Sequence, residues 1–368
     1  RLSQWNENEW VEIDSIGHSY EHRPLLLMHI TDQSVPAESK KRLWIHARQH
    51  PSESPVSWLT DGVISALVAD NPTAAALRKE IDAYILPMTN PDGVYNGLSR
   101  SNAIGVNQEI NFARGEDSTV VEVAFIKKRL EELNGVAPFD VALNMHSQVA
   151  PYSSYWIHRA EGTSKDFLRR EFVLADLTTS FNDYIRPEDM QFSKIADRYP
   201  EGWFWNNAGE RTLAITFETS YTCYSGRRDG EWIDSLSLRS FGERLLFAVA
   251  ESMEISLPGR VIVLPPDKVT QKWERVSSEE LTYMGDVAWK AVKPNAKMKY
   301  SAPMLEKGEY EVYKYISAPN DEKESKGERG WKKIDTFIQK GDGKLLYKFK
   351  AGAMGDCAGA LLFVNSNK

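Results

Sequence analysis

Apolar positions follow two regimes along this chain. Up to about residue 255, continuous apolar runs alternate with segments of helical period; beyond it only short alternating runs remain. The first runs, WVEIDSIG and PLLLMHIT, are joined by HSYEHR and predict an opening β-hairpin. RLWIHAR predicts a strand, and a helix follows from about Pro55 to Asp70, with Trp58, Val63, Leu67 and Val68 expected on its buried face. DAYILPM, FDVALNM and RTLAITF read as strands covered on both faces. TVVEVAFIKKRLEEL, the stretch around FLRREFVLADLTTSF, and SLSLRSFGERLLFAVAESM read as helices. Strands separated by helices predict an α/β domain over residues 1–258, a mixed, mostly parallel sheet sandwiched by helices.

Around ISLPGRVIVLPPD the pattern changes. DVAWKAV, YEVYKYIS, KIDTFIQ, KLLYKFKA and GALLFVN are short strand-like runs separated by turn residues, so residues 259–368 are expected to form an all-β sandwich. The charged stretch NDEKESKGERG is expected to be a solvated hairpin tip. Trp289, Tyr310, Tyr313, Tyr315 and Trp331 are expected as half-buried strand residues, with a glycan-binding platform as the other reading.

Composition narrows the function. From Gly259 onward there are 20 basic and 15 acidic residues, net +5, which leaves 25 and 37, net −12, for residues 1–258. An acidic first part argues against nucleic acid as the main ligand, because phosphate binding needs concentrated positive charge. No run of apolar residues is long enough for a membrane span. The 2 cysteines, Cys223 and Cys357, are far apart and suggest neither a disulfide framework nor a cysteine zinc site. A start at Arg1 and an appended β-domain lead us to expect a periplasmic or secreted protein whose leader has been removed, with the cytoplasm left open.

The chemistry gathers at three strand ends. RLWIHARQHPSE places His50 and Glu53 where a strand gives way to a helix; FDVALNMHS places His146 just past a second strand; TLAITFE places Glu218 at the end of a third. Ligand sites of open α/β sheets lie at the carboxyl ends of strands. Two imidazoles and one carboxylate make an open zinc site, and a further carboxylate can act as general base.

These motifs resemble the zinc metallocarboxypeptidase family, nearest its cytosolic-carboxypeptidase-like bacterial branch. IGHSYEHRPLLLMHIT resembles the family's opening hairpin, and ARQHPSE and NMHS its two metal motifs. The resemblance implies Zn2+ on His50, Glu53 and His146, with TFE supplying the general base Glu218. NPDGVYNGLSR also matches, which puts Arg100 on the family's oxyanion-stabilising arginine. A departure stands in GVNQEINF, where the family's Asn-Arg carboxylate clamp is replaced by Glu109 and Ile110. Isoleucine makes no bidentate contact with a carboxylate, and a glutamate repels one. Either Arg114 takes over that task, or the substrate presents an amine, a blocked end or a continuing chain near Glu109. Tyr199 is the candidate for the family's mobile tyrosine, with Tyr221 and Tyr224 the weaker matches.

The expected activity is hydrolysis of peptide-like amide bonds with unusual specificity, the substrate a peptide or peptide-like amide. A deacylase of N-acyl amino acids with the same ligand layout, and a binding protein that retains the fold without catalysis, are the alternatives.

Overall fold

A computed structural model describes residues 1–181, 184–186, 189–224, 231–255, 261–264, 266, 268–276, 288–305, 307–315, 331–340 and 343–366. Contacts divide the chain into two compact units, Arg1–Glu171 with Asn182–Leu246, and Phe172–Phe181 with Phe247–Lys368. The division falls at Leu246/Phe247, whereas the expected boundary after residue 258 lies outside the described residues, as does the charged NDEKESKGERG stretch.

The first unit is built on an 8-stranded sheet, in the order β1-β2-β4-β3-β5-β8-β6-β7. Its strands are β1 (Val11–His18), β2 (Pro24–Ile30), β3 (Lys41–Ala47), β4 (Ile81–Leu86), β5 (Val141–Gln148), β6 (Ser154–His158), β7 (Gln191–Ser193) and β8 (Leu213–Ser220). β1 and β2 form the expected antiparallel hairpin. β4, β3, β5 and β8 run parallel, and β6 returns antiparallel to β8. Because the chain goes from β3 to β4 on one side and later to β5 on the other, a topological switch falls at the carboxyl end of β3.

Helices of this unit are α1 (Leu2–Asn6), α2 (Pro55–Val68), α3 (Pro72–Glu80), α4 (Pro91–Tyr95), α5 (Val121–Val136), the start of α6 (Lys165–Phe181), α7 (Pro200–Ala208) and most of α8 (Ser235–Ser252). Alternation along the strands assigns the two faces. Trp44, Ala142 and Ala214 point to one side, where they pack with Val123, Ile126 and Leu130 of α5 and with Trp203 and Phe204 of α7. Phe217 points to the other and meets Phe241 of α8 edge-on, ring centroids 5.6 Å apart. There α2 and α8 approach closely at two glycines: a Cβ on Gly62 would overlap the Arg239 carbonyl, and one on Gly242 that of Leu59.

The helical periodicity misplaced Trp58 of α2, and Val68 is only half-buried. Trp58 is 42% exposed, outside the buried face formed by Val56, Leu59, Val63, Ile64 and Leu67. Its ring carries the Arg239 guanidinium at 4.8 Å, a contact that an indole makes without leaving solvent.

After the short pair β9 (Cys223–Tyr224) and β10 (Glu231–Trp232), the strands described beyond α8, in the second unit, pair antiparallel. Its strands are β11 (Val261–Leu264), β12 (Lys268–Val269), β13 (Trp273–Val276), β14 (Ala288–Ala291), β15 (Lys297–Leu305), β16 (Gly308–Tyr315), β17 (Trp331–Gln339), β18 (Gly343–Lys350), β19 (Cys357–Ala358) and β20 (Leu361–Asn365). They form sheets β11-β20-β16-β17, β12-β15-β18 and β13-β14-β19. Tyr310 is fully buried with Tyr300 and Phe363, Tyr315 is buried, and Trp289 and Tyr313 are half-buried, the pattern of strand residues facing a core. The side chain of Trp331 lies outside the described residues.

Candidate metal centre

β3 ends at Ala47, and the next residue, Arg48, adopts φ 62°, a left-handed conformation that is strained for a side chain of this size. Its guanidinium ties the turn together, donating to the Ser57 hydroxyl at 2.7 Å and to the Pro51 carbonyl at 2.6 Å. From below, Asn90 caps α4 through the Gly93 N–H and donates to the Gln49 carbonyl at 3.0 Å. The turn so fixed carries His50 and Glu53, both buried, into the space above the switch point.

β5 and β8 complete the cluster. In their parallel register His146 stands beside Glu218. His50 and His146 lie with ring centroids 4.7 Å apart. Glu53 is held between them: Oε1 is 2.7 Å from His50 Nδ1, Oε2 is 2.8 Å from His146 Nδ1, and the Ser147 N–H donates to Oε2 at 3.0 Å. Burial disfavours the charge of Glu53, but His146 and then His50 outweigh this and hold its carboxyl well below the usual range. Burial likewise opposes the charge of His146, and Glu53 and Glu109 together overcome it and raise its pKa.

On the opposite edges of the same two rings lies Glu109. Its carboxylate oxygens are 3.2 Å from His50 Nε2 and 3.6 Å from His146 Nε2. Glu109, expected as a substrate-binding residue, contacts the imidazoles themselves. Ligand atoms of His50, Glu109 and His146 all lie within 4.8 Å of one another. Two buried imidazoles that meet carboxylates on both edges, with His146 Nε2 buried and lacking a hydrogen-bond partner, are a donor set suited to zinc.

A pocket of about 320 Å³ opens beside Glu53, lined by Ser52, Ser99, Arg100, Ser147, Gln148, Val149, Glu218 and Tyr221. The half-buried Glu218 has its carboxyl pushed up to about 7 by burial, with His146 opposing and Glu53 and Glu109 reinforcing the shift. One of its oxygens is buried without a hydrogen-bond partner. Arg100 has a side chain 62% exposed and reaches over the cluster, 3.5 Å from Glu109 and 4.0 Å from Glu53.

Other expected site residues fall elsewhere. Arg114 is exposed, its carbonyl accepting from Lys127, and among the described residues it makes no hydrogen bond or ion pair with the histidines or carboxylates of the cluster. Ile110 is exposed. Tyr199 stands at the N-cap of α7, where its hydroxyl accepts from Arg198 at 3.2 Å, and it does not line the pocket. The pocket tyrosine is Tyr221, whose hydroxyl lies 3.3 Å from that of Ser52. The main chain places it there: the Tyr221 N–H donates to the Gln148 carbonyl at the shared end of β5 and β8. Asn107, also unread in the sequence, sets an amide oxygen 3.2 Å from His50 Nε2.

Residues 3–122, which include His50, Glu53, Arg100 and Glu109, match the family described as zinc carboxypeptidase. Cytosolic carboxypeptidase 6 of Caenorhabditis elegans is 35% identical over 231 residues, 58% of this chain and 50% of that protein. The mouse protein of the same name is 39% identical over 94 residues, 25% of this chain and 17% of that one. The chain thus spans half or less of the length of these relatives. Among solved structures, a metallo-carboxypeptidase from Burkholderia cenocepacia matches at TM-score 0.60 and 19% identity over 69% of this chain and 67% of that one. Carboxypeptidase A from Helicoverpa armigera matches at 0.54 and 18%, over 69% and 70%. At such identities the structures establish a shared fold, and the sequence match is to the zinc carboxypeptidase family over residues 3–122.

Proposed function

We propose that the chain is a zinc-dependent metallopeptidase that hydrolyses peptide-like amide bonds, with His50, Glu53 and His146 as the residues that hold the metal. The observation that carries this reading is the position of Glu53, within hydrogen-bond distance of Nδ1 of both histidines and at the wall of the pocket that also contains Glu218 and Arg100.

A zinc ion held there supplies Lewis-acid polarisation of a carbonyl and makes water more acidic. Glu218 accepts a proton from the attacking water and delivers it to the leaving nitrogen, a task for which a carboxyl pushed up to about 7 is well matched. The Arg100 guanidinium, mostly exposed at the pocket mouth, faces the oxyanion as it develops. Tyr221 rather than Tyr199 is the tyrosine within reach of substrate.

Substrate selection departs from that of a carboxypeptidase that grips a terminal carboxylate. No arginine stands at position 110, and the negative charge of Glu109 lies beside the cluster. We therefore expect substrates with a blocked C-terminus, an amine, or a chain that continues past the cleaved bond. The cytosolic carboxypeptidase relatives lend no support to a periplasmic or secreted location. No described helix is long and apolar enough to cross a membrane.

The test compares the purified, zinc-loaded protein with Glu218→Gln on a panel of free, amidated and N-acylated peptides. The expected result is metal-dependent cleavage that falls by about 10²–10⁴-fold in the variant while its zinc content stays the same. Full activity in Glu218→Gln, or release of acyl groups alone, would refute the peptidase assignment.

A further inference from the structure

Glu109 lies on the far side of the two histidines from Glu53, and the two carboxylates divide the edges of the rings between them. Glu53 meets both Nδ1 atoms at 2.7 and 2.8 Å, while Glu109 faces both Nε2 atoms at 3.2 and 3.6 Å. The pocket with Glu218 is walled by Glu53, and Glu109 is not among its lining residues. Reaction space thus adjoins the Nδ1 edges, and Glu109 stands behind them.

We propose that Glu109 is a positioning residue of the metal centre, a single carboxylate that accepts the Nε2–H of His50 and faces Nε2 of His146 from 3.6 Å, so favouring in both rings the tautomer that leaves the Nδ1 lone pair to the ion. The proposal rests on the zinc reading above and extends it to a residue specific to this chain.

Its physical basis is tautomer control. A neutral imidazole that donates from Nε2 must present its lone pair at Nδ1, and a carboxylate behind a metal-bound histidine also raises its basicity. Without Glu109 the buried Nε2 of His146 faces no other acceptor among the described residues. The main chain at Glu109 is itself kept in place: the Asn107 amide oxygen accepts the Glu109 backbone N–H at 3.0 Å and also lies 3.2 Å from His50 Nε2. Arg100, 3.5 Å from Glu109, offsets part of the second negative charge.

The experiment measures zinc affinity by chelator competition in the whole chain, for the parent, Glu109→Gln and Glu109→Asp, and records long-range ¹H–¹⁵N spectra of histidine-labelled, zinc-loaded parent. Gln removes the charge; Asp keeps it but withdraws it by one methylene, which guards against a variant that fails to fold. Both are expected to weaken zinc binding about 10–100-fold, and the spectra to show zinc on Nδ1 with the proton on Nε2. Parent-like zinc affinity in both variants would overturn the proposal, and so would zinc found on Nε2, with Glu109 then a direct ligand. Failure of the parent itself to bind zinc would instead overturn the metallopeptidase reading on which the proposal stands.

Discussion

His146 and Glu218 stand side by side at the carboxyl ends of β5 and β8, paired in register across two parallel strands. From this pairing comes the division of labour proposed above for the site. Strand alternation points both side chains to the same face, and the parallel register keeps them neighbours without any contribution from loop conformation. The third element, the turn after β3, lacks that support and is held by Arg48 and Asn90 instead.

The Arg48 turn therefore invites a paired substitution. Arg48→Ala loses both side-chain hydrogen bonds and keeps the left-handed backbone, whereas Arg48→Gly loses the bonds but relaxes the backbone. Urea unfolding should find Ala less stable than Gly by about 1 kcal/mol. Equal stability would mean that the turn stores no strain.

Asp92, in the short helix α4, gives a pH dependence of stability. Its buried carboxylate accepts from the Ser19 hydroxyl at 2.5 Å and the Glu21 N–H at 2.7 Å, and pairs with Arg23 at 2.6 Å. Burial raises its pKa, but these partners outweigh it and leave the folded value below the ordinary 3.8. A depressed folded pKa stabilises above the unfolded value and loses that stability as pH falls through the folded one. Asp92→Asn should cost about 1–3 kcal/mol at pH 7, and the gap to the parent should shrink below about pH 4. A gap that is constant with pH would contradict the assignment.

Much of this was legible in the sequence, and the failures have physical causes. β3, β5 and β8 were readable because strands covered on both faces are nearly continuous in apolar residues, so the polar residue that ends each run stands out. α3, α7 and the short β6 and β7 went unread. α7 has only nine residues and buries Trp203 and Phe204 side by side, which gives no helical period. Tyr199 precedes the base in sequence, but it is the chain reversal after β8, closed on Gln148, that brings Tyr221 to the pocket. Glu109 lies in a 3-10 turn between loops, where periodicity says nothing about which way a side chain points.

Substrate preference should respond to restoring the family's clamp. With Glu109→Asn and Ile110→Arg together, the planar guanidinium can meet a terminal carboxylate bidentately and the repelling charge is gone. Peptides with a free C-terminus should then be favoured over their amidated counterparts by about tenfold or more in kcat/KM relative to the parent, a gain of at least ~1.4 kcal/mol in transition-state binding. If Glu109 also supports the zinc, the double variant will need higher zinc to reach full activity. An unchanged ratio of free to amidated cleavage would show that positions 109 and 110 do not govern the choice.

The central claim is that His50, Glu53 and His146 surround one zinc ion. X-ray absorption fine structure at the zinc edge, on the purified parent and on His146→Ala, tests it most directly. For the parent the account expects one zinc per chain with two imidazole nitrogens at about 2.0–2.1 Å, a carboxylate in the same shell and no sulfur, and in the variant the loss of an imidazole or of the metal. A zinc shell containing sulfur, or one unaltered by His146→Ala, would contradict it.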